Sequence, residues 1–206
     1  MNFLNEHSNS NKNRLLVLAS GHGSNLQAIL DSCTQGKVNA EVVGLVSDKP
    51  QAYALERARQ AGIPTLLLEK RKEQSRSDYD DELAYKAAIF KPDWLILAGW
   101  MRILSSTFLD RFPQRVINLH PALPGTFPGV QAIERAFEAY QRGLITHTGI
   151  MVHLVPDEGV DDGPLLAQQI VAIQPEDTLE SLKTRIHRAE HQLLIQVLQQ
   201  ITATQE

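Results

Sequence analysis

Asn118 and His120 stand two residues apart at the end of a short apolar run, Val116-Ile117, and Pro121 follows at once. If residues 116–120 form a strand, the amide and the imidazole project from the same face, because strand side chains alternate. Pro121 keeps His120 extended and ends the regular structure there. The pair then lies at the C-terminal end of a strand, where open α/β sheets place their crevices. An imidazole titrates near neutral pH, and an amide N–H can hold a developing oxyanion. Acyl or formyl transfer is the chemistry such a pair suits. Alone the pattern is weak, since an Asn-x-His on a strand also serves purely structural ends.

Two further segments carry polar groups in suggestive order. Ser20-Gly21-His22-Gly23-Ser24-Asn25-Leu26 joins an apolar run to a helical pattern. Glycines let a backbone approach a ligand closely, and a helix N-terminus offers free N–H groups to an anion, so a phosphate is the natural guest. Leu26 stands where a dinucleotide fingerprint has its third glycine, although Asp48 could imitate the ribose-binding acid of a nicotinamide enzyme. No Gly-Lys-Ser/Thr follows, which excludes a P-loop. The plain alternative is a tight turn with a serine cap. Asp157-Glu158-Gly159-Val160-Asp161-Asp162-Gly163-Pro164 is either a solvated acidic turn or the source of a carboxylate beside His120. A carboxylate there raises an imidazole's pKa. Asp161 and Asp162 both qualify, and spacing does not choose between them.

His187-Arg188-Ala189-Glu190-His191 matches the H-x-x-E-H pattern of one class of zinc peptidases. A third ligand would have to follow, and only Glu206 does, so His187 and His191 read as helix-surface or cleft residues and no metal is expected. His147 and His153 flank an apolar run and read as sheet or edge histidines, with His153 a candidate for the cleft near Asp161.

The elements that must position these groups alternate in type. Strands are expected at residues 15–19, 41–47, 65–68, 94–98, 116–120, 150–155 and 166–173. Helices are expected at 24–34, 51–61, 77–90 with Ser77 as N-cap, 106–112, 130–142, and from Thr178 and Glu180 to about 201. The βα alternation predicts an α/β fold: an open, mostly parallel twisted sheet with helices on both faces. The last two strands have only a loop between them and are expected to pair antiparallel. Residues 1–13 are polar and read as a disordered N-terminal arm. Residues 14–206 read as a single domain, with a phosphate-binding half at about 14–112 and a catalytic half at about 113–201.

The chain has 206 residues, 43% of them hydrophobic, enough for a sizeable core. Its formal charge of −4 provides no basic face, so no nucleic-acid partner is expected. Cys33 is the only cysteine, which leaves no disulfide framework and fits a cytoplasmic location. No signal-peptide or membrane-spanning run occurs, so no membrane partner is expected. The sequence leaves monomer and homodimer equally open.

The three segments, in this order, resemble the phosphoribosylglycinamide formyltransferase family from Arg14 to about Leu198. Residues 21–29 resemble its phosphate loop, 55–63 its second helix, 97–104 its folate-pocket segment, 118–121 its catalytic strand end, and 157–164 its acidic loop. The resemblance implies a formyltransferase-like sheet that takes 10-formyltetrahydrofolate and 5-phosphoribosylglycinamide as small-molecule substrates in purine biosynthesis. It implies that Gly23, Ser24, Asn25 and Leu26 hold the substrate phosphate and that Glu190 contacts the glycinamide substrate. It places Arg76, Met101, Arg102, Ile103, Leu104 and Asn118 around the folate, and makes Asn118, His120 and Asp161 the catalytic trio. Alignment on Gly163-Pro164 selects Asp161 over Asp162. Two departures stand out: the proline after His120 comes one position early, in Pro121-Ala122-Leu123-Pro124, and the acidic loop is one residue longer after His153. Methionyl-tRNA formyltransferase and formyltetrahydrofolate deformylase resemble the same core, but each would need an added domain. A folate- or nucleotide-binding module without activity is the non-enzymatic alternative.

Overall fold

The computed structural model describes residues 12–203. Most of the expected arm, residues 1–11, lies outside the described residues, and Asn13 already opens the first strand. Among the described residues the chain runs β1 (Asn13–Leu18), α1 (Ser24–Thr34), β2 (Ala40–Ser47), α2 (Tyr53–Gln60), β3 (Thr65–Leu67), α3 (Arg76–Ala88) and β4 (Trp94–Leu97). It continues through α4 (Ser106–Leu109), β5 (Val116–His120), α5 (Ala132–Gln141), β6 (His147–Leu154), β7 (Leu165–Ala172) and α6 (Leu179–Ile201). Among the described residues no helix is long and apolar enough to cross a membrane.

The strands form one sheet in the order β3-β2-β1-β4-β5-β6-β7. β1 to β5 pair in parallel, while β6 is antiparallel to both β5 and β7. β6 is thus the single reversed strand of a mostly parallel sheet. The expected antiparallel pairing of the last two strands holds, and the reversal extends to β5 as well.

Alternation along β1 explains the layers. Leu15 and Val17 point to one face and join a core with Leu26 and Ile29 of α1, Leu55 of α2, Ile133 of α5 and Ile186 of α6. Leu16 and Leu18 point to the other face and meet Tyr79 and Leu83 of α3 and Phe108 of α4. Burial on both faces is why the strand reads as an unbroken apolar run. In α1, the spacing of Leu26, Ile29 and Leu30 puts one stripe into the core, and each such side chain contributes about 1.5–3 kcal/mol on full burial.

Several boundaries differ from expectation for local reasons. Ser75, not Ser77, caps α3: its Oγ accepts from the Asp78 N–H at 3.0 Å, and Ser77 lies in the first turn beside Thr107. The cap of α6 is Thr178, as expected, but its reciprocal partner is Ser181, three residues on, where capping-box geometry requires it. α5 starts at Ala132, after a left-handed Gln131 with φ of 57°. β6 begins three residues earlier than expected because His147 already pairs with Ala172.

From β1 the chain fills one side of the sheet with β2 and β3, then crosses to β4 on the other side. The reversal opens a crevice beyond the C-terminal ends of β1 and β4. Across it, the Ser20 N–H donates to the Gly99 carbonyl at 3.0 Å. At the opposite end of the strands, where the central β1 begins, Asn13 Nδ2 donates to the carbonyl of Thr202, just past α6, at 3.4 Å.

Candidate active site

The crevice deepens into a cleft of about 970 Å³ between the turn after β1, the segment after β4, the end of β5, the loop after β6 and one face of α6. Gly23 gives the first wall its shape. Its φ of 75° is left-handed, and a Cβ there would lie 2.7 Å from Ala54 Cα. The loop can therefore pack on the start of α2, where the Ala54 N–H donates to Gly21 O at 3.1 Å, while the N-terminus of α1 faces the cleft. Gly23, Ser24 and Asn25 line the cleft. Leu26 does not: its side chain is wholly buried in the core, which leaves it only its backbone to offer a ligand.

The segment after β4 forms the second wall. Met101, Arg102, Ile103 and Leu104 all line the cleft, and Met101 and Ile103 are exposed. Ser20 fastens this wall to the first, since its Oγ donates to Asp48 at 2.7 Å and accepts from the Met101 N–H at 3.0 Å. Asp48, the candidate ribose acid of the nicotinamide reading, is spent on this buried contact and lies off the cleft wall. Arg76 is also off the wall. It donates to Leu104 O at 3.3 Å and pairs with Glu158, which accepts from the Ser106 N–H at 2.9 Å. The Ser106 N–H first, and then Arg76, hold the Glu158 carboxyl below its usual range. Arg76 thus ties the Met101–Leu104 segment to the acidic loop from behind.

Asn118 and His120 do share a face. Val116 and the two polar residues point toward the α3 and α4 side, while Ile117 and Leu119 face the opposite core. The antiparallel register sets Asn118 opposite His153 of β6. Asp161, left-handed with φ of 55°, reaches in from the loop after β6 and touches all three. Asn118 Nδ2 donates to Asp161 Oδ1 at 2.9 Å, His120 Nδ1 lies 3.2 Å from Asp161 Oδ2, and His153 Nε2 lies 3.6 Å from Asp161 Oδ1. Asp162 is exposed and stands outside this group.

Hydrogen-bond accounting fixes several of these groups. His153 Nδ1 is 2.8 Å from Leu154 O, which can only accept, so Nδ1 carries the proton. Its Nε2 lies 3.2 Å from Asn118 Nδ2, which also donates to Asp161 Oδ1. His120 faces an oxygen at each nitrogen, with Phe127 O 3.1 Å from Nε2. Only the imidazolium satisfies both contacts at once.

Burial nevertheless decides the titration of His120. Desolvation pushes its pKa down, Asp161 and the Phe127 carbonyl pull it up, and the net direction is downward. The expectation that Asp161 raises it is correct for that one interaction and wrong for the sum, because the ring is almost entirely out of water. Burial also pushes Asp161 up, but its contacts with His153, the Gly129 N–H and His120 outweigh that and hold it low. Both directions favour a carboxylate beside a neutral imidazole near neutral pH.

α6 supplies the remaining wall. Glu190 is buried and lines the cleft, with His187 Nδ1 2.8 Å from its Oε2. That contact raises the His187 pKa, whereas burial lowers that of His191. Buried atoms without a partner among the described residues include Asn25 Oδ1, Trp100 Nε1 and His191 Nε2, all from cleft-lining residues. A ligand with hydrogen-bonding groups would satisfy them. Sequence reasoning missed Phe127 and Gly129, whose backbone groups meet His120 and Asp161, because neither side-chain type signals chemistry.

The family described as formyl transferase matches residues 13–198. The phosphoribosylglycinamide formyltransferase of Schizosaccharomyces pombe is 49% identical over 199 residues, covering 91% of this chain and 96% of its own. That of Dictyostelium discoideum is 43% identical, covering 88% and 94%. The crystal structure of phosphoribosylglycinamide formyltransferase from Bacillus halodurans superposes with a TM-score of 0.87 at 38% identity, covering 94% of this chain and 97% of that one. The chain belongs to the formyl transferase family, among the phosphoribosylglycinamide formyltransferases.

Proposed function

We propose that the cleft transfers the formyl group of 10-formyltetrahydrofolate to the amine of 5-phosphoribosylglycinamide, with Asn118, His120 and Asp161 assisting. The observation that carries this reading is the position of the trio, on the wall between the Gly23–Ser24–Asn25 turn and the Met101–Leu104 segment. The α1 N-terminus suits a phosphate dianion. Glu190 and His187 suit the sugar and amide that adjoin it. Exposed Met101 and Ile103 suit the flat apolar part of a folate, and the backbone of Arg102 and Ile103 suits its ring nitrogens. The folate supplies the electrophilic formyl carbon.

The residues divide the remaining work. Neutral His120 takes a proton from the attacking amine at Nε2, which turns from Phe127 O to do so, and returns it on the folate side, a role typically worth about 10²–10⁴ in rate. Asp161 stabilises the imidazolium so formed, and the two oxygens facing His120 are already in place for it. Asn118 donates to the formyl oxygen as that atom gains charge, after one amide hydrogen leaves His153 or Asp161. Holding both substrates in one cleft adds the proximity contribution.

A coupled assay tests the reading. Release of tetrahydrofolate from 10-formyltetrahydrofolate only when the ribonucleotide is present is the expected result. Release without it would identify a hydrolase, and no release under either condition would leave a binding module.

A further inference from the structure

Arg135 projects from α5, outside the cleft lining, toward the turn that follows β5. Its Nη2 donates to Phe127 O at 2.7 Å and also to Pro128 O. The same Phe127 carbonyl faces His120 Nε2 at 3.1 Å. One residue past Pro128, the Gly129 N–H donates to Asp161 Oδ2 at 2.7 Å, the oxygen that also faces His120 Nδ1. The turn therefore touches both members of the His120–Asp161 pair through its backbone. Phe127 has a left-handed φ of 46°, a conformation that side chains other than glycine adopt only when their surroundings hold them there. Arg135 is the charged side chain that holds it, and its guanidinium also stands 6.0 Å from the Phe127 ring centroid.

We infer that Arg135 is a positioning residue: by clamping the Phe127 and Pro128 carbonyls it fixes the turn that presents Phe127 O to His120 and the Gly129 N–H to Asp161. The inference rests on the reading of His120 as the proton carrier. A guanidinium suits the task because it stays charged and offers several donors in a fixed plane. It touches neither substrate site.

Two effects of Arg135 on His120 oppose each other, which makes the clamp separable from simple charge. The groups that face His120 are Asp161 and His153 from β6 and its following loop, Arg135 from α5, and the Phe127 carbonyl. The carbonyl favours the imidazolium, and the Arg135 charge disfavours it by less. A clamp that lets go removes the carbonyl contact, so the imidazole titrates at lower pH. Loss of charge alone would move it to higher pH.

Arg135→Gln is measured beside His120→Ala, with kcat, both KM values and the pH profile of kcat/KM. The expected result is a kcat at least about tenfold lower, KM values within about twofold, and an acid limb displaced to lower pH. An unchanged profile, a displacement to higher pH, or a KM rise at constant kcat would overturn the inference. If Arg135→Gln does not fold, Arg135→Lys decides: it keeps the charge on a different donor group, and the same downward displacement is expected, with wild-type behaviour as the overturning result. Wild-type turnover in His120→Ala would instead sink the reading of His120, independently of Arg135.

Discussion

Asp161 Oδ2 lies 3.2 Å from His120 Nδ1, while its Oδ1 accepts from Asn118 at 2.9 Å, so one carboxylate orients both polar residues of the strand end. Removing its charge leaves burial unopposed at His120. Asp161→Asn is therefore expected to move the acid limb of kcat/KM to lower pH and to lower kcat by about 10²-fold. Asp162→Asn, at an exposed position, is expected to leave the profile in place. The opposite pattern in the two pH profiles would reassign the carboxylate. His120→Ala is expected to lose about 10²–10⁴ in kcat with an unchanged melting temperature.

Gly23→Ala strains the loop after β1 twice. Its φ of 75° disfavours any Cβ, and the added atom would press on the Ala54 backbone at 2.7 Å. A loss of about 1–3 kcal/mol in stability is expected from such strain. The ribonucleotide KM should rise tenfold or more, on the order of the loss of one good phosphate contact. Urea denaturation and steady-state kinetics check the two parts separately.

His187 carries a raised pKa because Glu190 accepts from it. The imidazolium is present below that pKa and lost as pH rises through it. Ribonucleotide KM should accordingly rise across that step. Glu190→Gln should bring the step to lower pH. The same pair favours the folded state fully below the unfolded value of about 6.5, and that contribution fades as pH climbs through the folded one. A KM independent of pH between 6 and about 9 would exclude His187 from the substrate site.

At the start of α6, the buried Asp177 carboxylate accepts from Arg185 at 2.6 Å through each oxygen, and from the Gln174 N–H and Ser181 Oγ. Arg185 first, then the Gln174 N–H, depress the Asp177 pKa strongly. Its stabilisation is present above the unfolded pKa of about 3.9 and is lost as pH falls toward the folded one. Asp177→Asn should cost about 1–3 kcal/mol near neutral pH, read from chemical denaturation, and leave kcat unchanged. A larger effect at pH 3 than at pH 7 would contradict this assignment.

Local pattern carried much of this molecule. α1 spans Ser24–Thr34 and β5 spans Val116–His120, as expected, because each combines a clear apolar period with an unambiguous stop. Long-range relations were not legible. His153 meets Asn118 through a strand register across 35 residues. Arg135 matters through carbonyls of residues whose side chains say nothing about chemistry. Phe127 and Gln131 adopt left-handed φ without being glycine, and their own side-chain types give no sign of it. The net direction at His120 depends on how far the sheet and turn exclude water, which spacing does not report.

The contact between Asn13 and Thr202 brings the two ends of the described fold within hydrogen-bonding distance, at the end of the strands remote from the cleft. A short flexible bridge could join residue 203 to residue 12 without displacing any strand. New termini could then be opened at the exposed turn around Gly36 or that around Gly143. A permuted or tethered version of this scaffold is therefore expected to keep the cleft, because the joined ends lie at the opposite end of the strands.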